Sequence, residues 1–80
     1  MTPQRAIRQL DLTGSGTLDS LTVKLGTGQQ ITLTREDVAT WPDRKHTRVS
    51  TVLVGTVPIE LRFAVELMQR ARQYFELVRG

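Results

Sequence analysis

Two runs of strict alternation, set on either side of a glycine turn, constrain this chain more than any other feature. In Ser20-Leu21-Thr22-Val23-Lys24-Leu25 the apolar residues are Leu21, Val23 and Leu25; in Gln30-Ile31-Thr32-Leu33-Thr34 they are Ile31 and Leu33. Side chains on a strand point alternately to opposite faces, so each run has one apolar and one polar side. Gly26-Thr27-Gly28 lies between them and supplies residues free to take positive φ. Two such runs around such a turn predict a β-hairpin with one buried face.

The rest of the chain supplies elements that can cover that face. Thr2-Pro3 places an N-cap before a proline at the first helical position, which predicts a short helix over residues 3–10 presenting Ala6, Ile7 and Leu10. Gly14-Ser15-Gly16 reads as a flexible turn after it. Thr34-Arg35-Glu36-Asp37 has the form of a capping box, with an acid at the third helical position, and opens a short helix carrying Val38 and Trp41 up to Pro42. Arg48 to Gly55 is rich in β-branched residues and predicts a third strand. Val49 and Leu53 fall on one face and Val52 and Val54 on the other, the pattern of a central strand.

Pro58 is expected to start a long C-terminal helix reaching about Val78. With Leu61 at heptad position a, Leu61, Ala64, Met68, Ala71, Phe75 and Val78 share the a/d seam. Leu67 and Tyr74 fall at g, Phe63 and Leu77 at c. The apolar arc is about 160° wide, broader than the stripe of an ordinary surface helix. The expected fold is α+β over residues 1–80: a three-stranded, mainly antiparallel sheet made of the hairpin plus a third strand, packed by the long C-terminal helix. Short helices precede the hairpin and the third strand.

Length narrows the function. An 80-residue chain buries only roughly 60–65% of the surface that its unfolded state exposes, so reinforcement by disulfides, metal or a partner is common at this size. Cysteine is absent and His46 is the one histidine, which removes disulfides and thiolate sites and leaves a poor zinc ligand set. Good packing or oligomerisation is what remains. The N-terminal segment has two arginines and no continuous apolar stretch, and no segment approaches a membrane span. The expectation is a soluble, cytoplasmic protein of bacterial or phage size, with no cofactor and no small-molecule substrate.

Nothing in the chain has the form of a catalytic constellation. Ser15, Ser20 and Ser50 lack a nucleophile-elbow motif, His46 sits in a charged loop, and Glu36-Asp37 stands where acids cap a helix. The glycine pairs have neither the spacing nor the strand-to-helix setting of a phosphate loop. The expectation is therefore a non-enzyme.

Eleven Lys+Arg against eight Asp+Glu give a net charge of +3. The basic run Arg44, Lys45, Arg48, with Arg5 and Arg8, is the candidate contact for nucleic acid. Arginines on the C-terminal helix are interleaved with Glu60, Glu66 and Glu76, which suits water or protein better than phosphate. Trp41 fits a residue closing the core over the sheet better than an exposed anchor. The leading expectation is a protein-binding module, an accessory or inhibitory factor, acting as a homodimer through Phe63, Leu67, Tyr74 and Leu77, the flanks of the wide helix arc. Nucleic-acid binding by the 44–48 loop is the alternative.

Overall fold

The hairpin forms as its alternation predicts. The computed structural model describes residues 1–41, 50–54 and 57–79, and in it β2 (Ser20–Lys24) pairs antiparallel with β3 (Gln30–Thr34). Leu21 faces Leu33 and Val23 faces Ile31 in that register, and all four are buried. Burying each such side chain contributes about 1.5–3 kcal/mol. On the opposite face the hydroxyls of Thr22 and Thr32 lie 3.0 Å apart in a cross-strand hydrogen bond. The connection closes through the Leu25 N–H donating to the Gln29 carbonyl at 2.7 Å, with Gly28 at φ 92°.

The helix α1 (Pro3–Gln9) is capped by Thr2, whose hydroxyl accepts from the Arg5 N–H, and buries Ala6 and Ile7. It stops because Asp11 turns left-handed at φ 56°. The Asp11 N–H then reaches the Arg8 carbonyl at 3.1 Å and the Leu12 N–H reaches the Ile7 carbonyl at 3.0 Å, which satisfies two of the last carbonyls. The helix α2 (Arg35–Ala39) has the predicted capping box: Asp37 N–H donates to the Thr34 hydroxyl, and Thr34 N–H donates to the Asp37 carboxylate at 3.0 Å. It buries Val38.

Three expectations are corrected. Gly14-Ser15-Gly16 is not a turn but a strand, β1 (Gly14–Gly16), which pairs antiparallel with β2 and completes a sheet of order β1-β2-β3. Gly14 takes φ 149°, a conformation that other residues rarely adopt, and neither glycine has room for a side chain. A Cβ on Gly14 would lie 1.9 Å from the Thr22 carbonyl oxygen, and one on Gly16 would lie 2.1 Å from the Tyr74 hydroxyl.

The stretch expected to be the third, central strand of that sheet belongs to a second sheet. There β4 (Thr51–Val54) pairs antiparallel with β5 (Val57–Glu60). Val52 and Val54 are buried while Leu53 is 67% exposed, so β4 has one core face, not two; Val49 lies outside the described residues.

Pro58, expected to open the long helix, sits in β5 opposite Leu53. Among the described residues this sheet has two strands, both edges, where a residue without an N–H is tolerated. The helix α3 (Leu61–Arg79) starts after it, where the Leu61 N–H donates to the Ser50 carbonyl at 2.8 Å. Its buried residues are Ala64, Leu67, Met68, Ala71, Tyr74, Phe75 and Val78, and α1, α2, β4 and β5 all pack against it.

Candidate functional site

The four residues expected at the protein interface separate into two pairs. Leu67 and Tyr74 lie in the chain's own core, Tyr74 with no exposed surface at all. The Tyr74 hydroxyl donates to the Thr17 carbonyl at 2.6 Å, and its ring meets Phe75 edge-on at 5.1 Å. Burial raises the phenol above its ordinary pKa of 10.0, against a smaller opposing pull from the Arg35 charge. Neither residue is available to a partner. Leu77 is half-buried against the core, and Phe63 is 53% exposed. The wide arc leaves its remainder to the N-terminal helix or to a second copy, and within the chain α1 packs against α3, with Arg70 donating to the Leu10 carbonyl at 3.2 Å and Gly16 of β1 close to Tyr74.

Phe63 is one part of a larger apolar surface at the start of α3. The β4–β5 register puts Leu53 directly opposite Pro58 on the outer face of the ribbon, and both are exposed. Pro58 and Phe63 in turn line a concavity of about 450 Å³, together with Ile59 and the hairpin residues Leu25 and Gly26. Leu53, Pro58 and Phe63 thereby join into one patch. Its charges are balanced: Arg62 Nε lies 2.6 Å from the Glu60 carboxylate, and the Arg62 guanidinium stands 5.2 Å from the Phe63 ring centre. Phe63 was legible from its c position, but Leu53 was not. Its exposure follows from alternation along β4, whose core face is taken by Val52 and Val54.

A second concavity, of about 240 Å³, lies beside the C-terminal half of α3. Buried Val38 and Phe75 form its apolar floor, and exposed Ala39, Arg72, Arg79 and Glu76 with half-buried Arg35 its rim. Arg35 is anchored twice, by Nη2 donating to the Leu18 carbonyl and by a guanidinium 5.4 Å from the Phe75 ring centre. Its Nε is buried without a hydrogen-bond partner. The arginines of α3 are not equivalent. Arg62 and Arg70 pair with Glu60 and Glu66, whereas among the described residues Arg72, Arg79 and Glu76 form no ion pair. Counting charges along the sequence hid this asymmetry, because it treats every glutamate as offsetting an arginine.

Of the nucleic-acid candidates, Arg5 and Arg8 are exposed on α1, while Arg44, Lys45 and Arg48 lie outside the described residues, as does His46. Trp41 is half-buried against the core. Asp37 is committed to the α2 cap, and the Ser20 hydroxyl to Thr17 at 3.0 Å. Among the described residues no three His, Cys, Asp or Glu side chains gather where they could hold a metal, and no helix is long and apolar enough to cross a membrane. Comparison with protein-family models, with curated proteins and with solved structures finds no match to this chain.

Proposed function

We propose that this protein is a non-catalytic binding module that associates with a second copy of itself through the patch formed by Leu53, Pro58 and Phe63. The observation that carries the reading is the contiguous exposure of two large apolar side chains, Leu53 at 67% and Phe63 at 53%, beside a concavity floored by further apolar groups. Exposed apolar surface gathered in one place is characteristic of association sites. A second copy suits this patch because it carries one acid and one base, Glu60 and Arg62. A two-fold arrangement can set each against its opposite on the partner, with no net charge to neutralise. A chain of 80 residues without disulfides also gains stability from such a contact. An accessory or inhibitory role fits a small module whose sequence carries no catalytic constellation. Nucleic-acid binding through Arg5, Arg8 and the 44–48 segment is the rival reading, weakened by the pairing of Arg62 and Arg70 with glutamates.

Sedimentation equilibrium tests the proposal. The wild-type chain is expected at twice its 9.0 kDa mass at high micromolar concentration, and the double variant Leu53→Glu, Phe63→Glu as a folded 9.0 kDa monomer. A wild-type monomer at that concentration overturns self-association, as does a dimer that survives both substitutions.

A further inference from the structure

We propose that the arginine-rimmed cleft at the C-terminal half of α3 is a docking site for an acidic peptide, one that presents a carboxylate beside an aliphatic side chain. This site is separate from the self-association patch. Phe63 and Phe75 are twelve positions apart on one helix, about 18 Å along its axis.

The ligand class follows from the chemistry of the cleft. Three guanidinium groups and one carboxylate leave its rim with an excess of two positive charges, and among the described residues Arg72 and Arg79 have no ion-pair partner within the chain. Guanidinium groups match carboxylates in shape and donor geometry. Beneath the rim, Val38 and Phe75 give a floor that water wets poorly, and about 240 Å³ is room for one or two side chains. A purely ionic ligand leaves that floor uncovered; an acidic residue next to a leucine or valine uses both parts. Arg35 holds the position together, since its contacts with the Leu18 carbonyl and the Phe75 ring fix α2 against α3 at the cleft.

Nucleic acid fits less well. Base stacking needs an open aromatic face, and Phe75 is only 5% exposed, with the Arg35 guanidinium already beside its ring. A phosphate backbone needs a track of cations, but the arginines farther along α3, Arg62 and Arg70, are paired with glutamates. Glu76 in the rim would also repel a polyanion more than a single carboxylate.

Fluorescence anisotropy of a labelled peptide alternating glutamate and leucine provides the test. The comparison probes are the same peptide with lysine for glutamate, an oligothymidylate, and inorganic phosphate as competitor. Saturable binding that weakens with salt is expected for the acidic peptide alone. The double variant Arg72→Gln, Arg79→Gln should weaken it about tenfold, in line with two solvent-facing ion contacts. Glu76→Gln, which removes the repelling carboxylate, should tighten it about two- to threefold. All three residues are exposed, and unchanged circular dichroism checks that the fold is intact. No binding up to millimolar protein overturns the proposal. So do equal binding of the lysine peptide, equal or tighter binding of the oligothymidylate, displacement by phosphate at matched ionic strength, or full affinity in the double arginine variant.

Discussion

Replacing Gly16 with alanine puts one methyl group where the structure has no room for it. The added Cβ would lie 2.1 Å from the Tyr74 hydroxyl oxygen and 2.7 Å from the ring carbon that bears it. Tyr74 cannot swing aside cheaply, because it is fully buried, packed edge-on against Phe75 and bonded to the Thr17 carbonyl. Forcing a methyl into a packed core costs about 1–3 kcal/mol. Displacing the hydroxyl from Thr17 adds about 1 kcal/mol. The expected loss for Gly16→Ala is therefore about 2–4 kcal/mol, which for a domain of this size lowers the Tm by about 10–25 °C. Tyr74→Phe alone removes the hydrogen bond and should cost about 1 kcal/mol. The double variant is the discriminating measurement. Without the hydroxyl, the atom closest to the new methyl is gone, so the combined loss should fall short of the sum by about 1 kcal/mol. Urea unfolding followed by the fluorescence of the single tryptophan and by circular dichroism gives all three values. A Gly16→Ala variant within about 0.5 kcal/mol of wild type refutes the contact. Strict additivity in the double variant refutes the claim that the hydroxyl is the obstacle.

Two further outcomes follow from local chemistry. Tyr74, the one tyrosine, has a folded-state pKa raised above 10.0 by burial, so its stabilising contribution is fully present below pH 10 and is lost as pH rises through the raised value. Alkaline unfolding should thus be steeper in wild type than in Tyr74→Phe, with phenolate absorbance appearing together with loss of structure; phenolate formed in the folded state would contradict it. At the end of α1, Asp11 holds a left-handed conformation at φ 56°, which glycine adopts at less cost. Asp11→Gly should raise stability by about 0.5–1 kcal/mol in thermal unfolding, and a lower Tm would show that the aspartate side chain matters more than its backbone.

What the sequence revealed, and what it concealed, divides along the range of the forces involved. The hairpin over Ser20 to Thr34 and the cap at Thr34–Asp37 are decided by neighbours a few positions apart, so alternation and a four-residue pattern suffice to find them. The strand Gly14–Gly16 has no such signal. Its glycines answer to Thr22 and Tyr74, the latter far along the chain, and locally they resemble a turn. Pro58 misled in the other direction: proline before an amphipathic run normally marks a helix start, but pairing with Leu53 holds it in a strand. The same long-range effects moved the candidate surface. Burial of Tyr74 depends on the approach of Gly16 and Thr17 from far along the chain, and Leu53 is exposed because Val52 and Val54 take the core face of β4. The arginine-rimmed cleft gathers Arg35 and Arg79 from distant positions, and charge counting along the chain cannot bring them together.

The separation of the two sheets has a consequence for how the molecule breathes. No backbone ladder links β1-β2-β3 to β4-β5 among the described residues, so the second sheet is attached through side chains of α3 and the hairpin loop. Amide protons in β4 and β5 are shielded by one strand pairing, and a local opening can expose them without disturbing the larger sheet. Hydrogen exchange should therefore run on two clocks, fast in Thr51–Val54 and Val57–Glu60 and slow in Ser20–Lys24 and along the α3 turns that carry Ala71 and Tyr74. A partner seated on Leu53 and Phe63 would slow the first clock and leave the second nearly unchanged.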